Sequence, residues 1–404
     1  MKSVNLHIGR LHAAVAMALI AVTGAAAAQS VTSGGATLPQ PMYQDIITNG
    51  PILGTWTYLG TGSGTGKTAF LTNNASLLGK SGTVHIVGSD SALSSAEITT
   101  YNAAYNNGSA STVANYGRLV QIPAVATPVL LPYKESGITT LNLSTEELCK
   151  IYSFDSGART WNQVTTVADD GGVGAASPIA VVYRTDNSGT TELLSRFLNQ
   201  ACAPFGKSFT VSNNFKTMVA SALPALTAAQ DANNDGLPDV WVGGAGSGGV
   251  KTAVTANHSL GYLSPEPGYT GEQNAVVARI NGFSPNDDAI RSALPAPPAT
   301  TLARANPINW VPAYTYNASF YPIYGTTNLI LGQCYAGGAA SGSAAYATKD
   351  FVSKLVGGTY DSYITTHNFV KLPAAWLTAI QQTFLTSGAS LEINGTACSS
   401  VTGR

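Results

Sequence analysis

The ten residues Val181-Val-Tyr-Arg184-Thr-Asp186-Asn-Ser188-Gly189-Thr190 constrain this chain more than any other stretch. A β-branched strand end runs into a Ser/Gly/Thr turn. The residues that follow, with Leu193, Leu194, Phe197 and Leu198 at helical spacing, form an amphipathic helix. Unpaired N–H groups at a helix start attract anions, and the hydroxyls of Ser188 and Thr190 add donors. Arg184 supplies a planar fork for an oxyanion, and Asp186, two residues on, is placed to hold that guanidinium. A capped helix with a surface ion pair is the blander account of the same residues; the density of donors favours an anion site.

Similar alternation recurs along the chain. Strand-like runs at 83–88, 119–123, 128–132 and 179–183 are interleaved with helical patterns at 144–152, 190–199, 349–356 and 374–386, which predicts α/β layers. The segment 284–306, rich in Pro, Ala and Asn, reads as a long surface connection. The N-terminus has the layout of a secretory signal peptide: Lys2 and Arg10, the apolar run 13–22, then Ala26-Ala27-Ala28 before Gln29. The apolar run is shorter than the roughly 20 residues a membrane span needs, so export without membrane insertion is expected. No cysteine lies near the cut, which argues against a lipid anchor.

Cleavage after Ala28 leaves about 376 residues, more than one core ordinarily holds. Two Pro-punctuated segments, 121–128 and 258–265, look like crossings between two domains. The expected division is a signal peptide (1–28), a discontinuous lobe (29–123 and 267–404) and an inserted lobe (124–266), with a cleft closed by a hinge. The mature chain carries 18 basic and 21 acidic residues, so its charge excludes a nucleic-acid binder. Charged residues are 10% of the chain against roughly 25% in an ordinary soluble domain, which fits an extracytoplasmic surface. Four cysteines, Cys149, Cys202, Cys334 and Cys398, are too widely spaced for a zinc ribbon or a redox pair. Sequence order permits three connectivities; pairing Cys149 with Cys202 and Cys334 with Cys398 closes two loops in separate regions, each contributing roughly 3–4 kcal/mol.

A second glycine-rich stretch, Gly60-Thr61-Gly62-Ser63-Gly64-Thr65-Gly66-Lys67-Thr68, approaches a nucleotide-binding phosphate loop but has Thr61 where that motif requires its first glycine. The sequence Arg184-x-Asp186-x-Ser188-Gly189-Thr190 before a helix resembles the anion-binding turn of the periplasmic phosphate-binding proteins that serve phosphate ABC importers. Gly34–Pro41 resembles the N-terminal region of the DING branch of that family. Gly60–Leu71 is similar to its second anion loop and Gly88–Ser91 to its third. The likeness continues through Glu147-Leu-Cys149, Trp161, Gly261–Pro265, Tyr324–Ile330 and Cys398, and covers essentially all of the mature chain. One departure is plain: Val31-Thr32-Ser33-Gly34 stands where the branch carries the tetrapeptide that names it.

The resemblance implies a two-lobed periplasmic-binding-protein fold of class II, a monomer with no cofactor and inorganic phosphate as ligand. It implies that Thr37, Leu38, Ser63 and Asp90 of one lobe face Arg184, Ser188, Gly189 and Thr190 of the other. Ser63 then makes the glycine-rich loop a cradle for free phosphate rather than for ATP, and an ABC importer complex is the implied partner. Phosphate at neutral pH retains at least one proton, so a buried site can include one acceptor, and Asp90 is the candidate. Sulfate has no proton to give and would meet an unpaired carboxylate, which excludes it by repulsion.

Other motifs carry less. Asp231, Asn233, Asp235 and Asp239 around Gly236 have the alternating oxygens of a calcium loop, but its twelfth position is Val242, and an Asn/Asp-rich surface turn accounts for it equally well. Of the histidines after the leader, His85, His258 and His367, none belongs to a hydrolase or zinc motif. Two further functions are conceivable on the same scaffold: a low-grade alkaline-phosphatase-type phosphoester hydrolase with Asp90 as its one obvious base, and a secreted matrix protein that uses phosphate as a signal.

Overall fold

The computed structural model describes residues 30–106, 115–266, 268–270, 273, 275–337 and 342–404; the leader expected at 1–28 lies outside them. Among the described residues eleven strands follow one another: β1 (Ser30–Gly35), β2 (Thr55–Gly60), β3 (Ile86–Ser89), β4 (Leu119–Pro128), β5 (Tyr133–Lys134), β6 (Asn142–Leu143), β7 (Ala180–Arg184), β8 (Val242–Gly244), β9 (Ser259–Leu260), β10 (Arg279–Ile280) and β11 (Tyr324–Gly332). They build two lobes. The first holds a five-stranded sheet in the order β2-β1-β3-β11-β4, parallel among β1, β2 and β3, with β11 antiparallel to β3 and β4. The second holds a sheet ordered β5-β9-β7-β8, with β7 parallel to both its neighbours, and a small pair of β10 with β6.

Each large sheet is covered on both faces because neighbouring residues of a strand point to opposite sides. In the first lobe Ile86, Leu329 and Leu331 join a core with Ile46, Trp310, Phe351 and Trp376. Their strand neighbours Val87 and Ile330 pack on the other face with Phe70, Leu78 and Tyr101. In the second lobe Val181 faces Leu193, Phe197 and Trp161, while Val182 faces Val250, Val254 and Leu263. Strands buried on both faces read as near-continuous apolar runs, which is why β7 was legible in the sequence.

The expected helices form at Thr145–Tyr152, Gly189–Ala201, Ala344–Val356 and Ala374–Ile380, the last continuing into a π-turn at Gln381–Leu385. Ser144 and Glu147 make a reciprocal cap at the first of them. The run 128–132 is held by the isolated bridges Leu130↔Leu263 and Pro132↔Val277 rather than forming a strand of its own. The connection at 284–306 contains two short helices, Asp287–Ala293 and Thr301–Arg304.

The chain passes between the lobes where β4 ends: Val129 already belongs to the second core. Ile280 is still in that core and Ile290 in the first, so core membership returns later than the crossing suggested at 258–265. The pairing of β10 with β6 keeps 279–280 in the second lobe. Two further crossings follow: Trp310 is in the first core, Tyr321 and Ile323 pack in the second, and Tyr324, beside β4, is back in the first. Val129 N–H donates to the Ile323 carbonyl at 2.8 Å and the Tyr321 hydroxyl to the Val129 carbonyl at 2.7 Å. Two adjacent strands at a crossing, tied by one backbone bond and one side-chain bond, are the geometry a hinge requires. Both disulfides form, Cys149–Cys202 and Cys334–Cys398.

Candidate functional site

The strand ends and helix starts of the two lobes meet at one cleft. On the first lobe, the turn after β1 carries Thr37 and Leu38, the helix Ser63–Leu71 begins at Ser63 directly after β2, and Asp90 follows β3. On the second, Arg184 ends β7 and the helix Gly189–Ala201 starts five residues later with Ser188 as its cap. All three polar turns of the first lobe sit at the carboxyl ends of parallel strands, the edge at which α/β sheets hold their ligands.

Thr37 is half-buried, and the others are sealed from solvent. Leu38, Ser63, Asp90, Ser188 and Thr190 are each 1% exposed and Arg184 3%. Ser63 Oγ accepts from the Asp90 amide at 3.1 Å and lies 3.5 Å from Asp90 Oδ2. Arg184 donates Nε to Asp186 Oδ1 at 2.7 Å and a second bond from Nη2 to Oδ2. Asp186 in turn accepts the Gly246 amide at 2.9 Å. Burial pushes the Asp186 carboxyl up, but the Arg184 guanidinium and the Gly246 amide outweigh it and hold the group below the usual carboxylate range. The fork is thus fixed by its own carboxylate two residues along the chain.

Asp90 is different. Burial pushes its carboxyl up from 3.8 to about 7; Thr327, Arg184 and Ser63 oppose the rise and Glu192 adds to it. Its Oδ1 and the hydroxyls of Thr190 and Thr327 are buried without a hydrogen-bond partner in the protein, Thr327 lying near Asp90 but outside bonding geometry. Such orphaned groups are costly in an apolar surround and call for a polar partner in the cleft. Thr327 escaped the sequence reading; it stands at a β-bulge of β11, beside Asn328, whose side chain donates to the Ser89 carbonyl at 3.0 Å.

The glycines of the loop at 60–68 explain themselves here. Gly62, at φ +89°, faces Asp186 so closely that a Cβ would fall 2.6 Å from Oδ2. A Cβ on Gly64 would fall 2.5 Å from that of Asn187, and the Gly64 amide donates to the Asn187 carbonyl at 3.0 Å. Two glycines therefore let the lobes touch. Lys67, the residue that would reach a nucleotide's phosphates, bonds instead to the Ala92 carbonyl at 3.0 Å and to Glu97.

One residue that nothing in the sequence singled out joins the site. Ser247, 5% exposed at the start of the helix Gly246–Ala253, has its Oγ 3.0 Å from Thr37 Oγ1 and 3.5 Å from Arg184 Nη1. Elsewhere, Asp231, Asn233, Asp235 and Asp239 spend side-chain oxygens on the amides of Ala232, Asp235, Gly236 and Leu237 within their own turn. Among the described residues no three His, Cys, Asp or Glu side chains converge as metal ligands. His85 is buried, accepts the Thr32 amide at 3.1 Å and stacks on Tyr335; burial and Arg404 lower its pKa to about 4.

Comparison with known proteins agrees with this geometry. Residues 21–351 match the model of the PBP superfamily domain. A protein called alkaline phosphatase L from Pseudomonas aeruginosa is 41% identical over 95% of this chain and 96% of its own length. A phosphate-binding protein from an unknown prokaryotic organism is 36% identical over 91% and 97%. Among solved structures, a phosphate-binding protein from Stenotrophomonas maltophilia superposes with a TM-score of 0.80 at 34% identity, covering 93% of this chain and all of that one. A high-affinity periplasmic phosphate-binding protein, PfluDING, solved with phosphate bound, gives 0.78 at 34% identity over 93% and 99%. No described helix is long and apolar enough to cross a membrane.

Proposed function

The chain belongs to the PBP superfamily, within its DING-type phosphate-binding branch, and on that premise we propose that it captures inorganic phosphate between its lobes and delivers it for uptake. The observation that carries this reading is that Asp90, buried and with its carboxyl raised by that burial to about 7, shares the cleft with a buried Arg184 from the other lobe. A hydrogen-bearing oxyanion needs one acceptor among its donors, and an acceptor whose pKa is near 7 shares a single proton with phosphate in either microstate. Thr37, Leu38, Ser63 and Asp90 would act from one side and Arg184, Ser188, Gly189 and Thr190 from the other. Neutral amides and hydroxyls supply most of the donors, so the site needs no strongly basic surface. We take the protein to be extracytoplasmic, periplasmic or secreted, and to act as a monomer that hands its ligand to an ABC importer. For the lobes we keep a division in which a segment inserted after β4 forms the second; membership of its core by Val129 through Ile280, with Tyr321 and Ile323 added, supports that reading.

The competing reading is a phosphoester hydrolase, favoured by the name of the Pseudomonas relative. Burial of Asp90 together with Ser63, Arg184, Ser188 and Thr190 argues against it, because an ester needs a leaving group held outside the anion cradle. Calorimetric titration of phosphate and of sulfate into the anion-stripped protein, beside a phosphoester turnover assay, separates the two. One-to-one phosphate binding without sulfate binding or turnover is expected; turnover without phosphate binding would replace this reading by the catalytic one.

A further inference from the structure

The loop joining β8 to the helix Gly246–Ala253 carries none of the eight expected ligands, yet it occupies the rim where the two lobes meet. Its shape depends on two glycines: a Cβ on Gly244 would fall 2.6 Å from the Val250 amide nitrogen, and one on Gly249 would fall 2.9 Å from the Gly244 carbonyl carbon. The helix therefore starts pressed against the strand that precedes it. Two groups point from this start into the site: the Gly246 amide onto Asp186 and the Ser247 hydroxyl between Thr37 and Arg184.

We propose that Ser247 is a positioning residue that sets the direction of the Thr37 hydroxyl and so holds the closed cleft on its anion. The inference rests on the phosphate reading of the cleft. A guanidinium can only donate, so the contact from Arg184 Nη1 makes Ser247 Oγ an acceptor there. The serine proton is then free for Thr37 Oγ1, 3.0 Å away. Thr37, accepting from Ser247, keeps its own proton for the anion. The three groups form a directed chain, cation to serine to threonine to ligand, in a partly buried setting where successive hydrogen bonds reinforce one another. Because Thr37 belongs to the first lobe and Ser247 to the second, the same bond also joins the two walls.

The test compares phosphate binding and release by stopped flow in the wild-type protein, Ser247→Ala, Thr37→Val and the double variant, with melting of each in the absence of phosphate. Loss of one neutral hydrogen bond corresponds to a weakening of about five- to tenfold. Ser247→Ala should release phosphate faster by about this factor while associating at the wild-type rate and melting unchanged. In the Thr37→Val background the same substitution should add nothing, because the hydroxyl it steers is gone. Wild-type release rates in Ser247→Ala, or additive losses in the double variant, would overturn the inference while the phosphate reading stood. A wild-type protein that binds no phosphate would remove the reading itself.

Discussion

Gly189 and Asp90 confront each other across the cleft so closely that a Cβ on the glycine would lie 2.4 Å from the Cβ of the aspartate and 2.5 Å from Ser63 Oγ. The helix start of the second lobe thus rests on the third loop of the first. Gly189→Ala should leave each lobe folded and prevent this seating, weakening phosphate binding by about 5- to 150-fold, since overpacking of a close contact costs about 1–3 kcal/mol. Calorimetry checks the affinity, and an unchanged Kd would show that the lobes need not approach this far.

Asp90→Asn should admit sulfate, because an amide can donate to an oxygen that the carboxylate repels. Competition between the two anions in calorimetry measures the change; a variant that still rejects sulfate would place selectivity elsewhere.

The same residue makes the ligand-free protein pH-sensitive. Its folded-state pKa, about 7, lies above the ordinary 3.8, so between these values the folded chain holds a proton that the unfolded chain releases. Stability from this group is therefore fully present below about pH 4 and is lost as pH rises through 7. Asp90→Asn should flatten that slope and raise stability at pH 8 by up to about 4 kcal/mol. Denaturant unfolding at pH 5 and 8 without phosphate tests the sign; equal pH slopes in variant and wild type would contradict it.

Lys67 distinguishes this cleft from a nucleotide site. Its ammonium is committed to Ala92 and Glu97 inside the first lobe. Lys67→Ala should lower stability by about 1–3 kcal/mol through the broken buried bonds and change phosphate affinity less than twofold. A large loss of affinity with stability intact would return the lysine to the ligand.

The candidate site residues could be singled out because each is a donor or acceptor at a strand end or helix start. Arg184 through Thr190 is legible for that reason, and so is the helix whose Leu193 and Phe197 reach the second core. Ser247 was not, since it sits in a run of glycines whose role depends on the opposite lobe. The small strands of the second lobe were illegible for a related cause: β5, β6, β9 and β10 are each two residues long, too short for alternation to show. The Val31-Thr32-Ser33-Gly34 departure lies in β1, a buried strand of the first sheet that ends before the candidate residues Thr37 and Leu38. Asp90's unusual proton affinity depends on burial, which residue order alone does not display.

Each disulfide is confined to a single lobe: Cys149 and Cys202 both belong to the second core, while Cys334, just beyond β11, and Cys398 lie in the first lobe. Covalent reinforcement and mechanical freedom are thereby kept on separate parts of the molecule. Oxidation stiffens the two jaws and leaves the joint untouched, so the redox state of the surroundings can change how well the protein survives without changing how it opens.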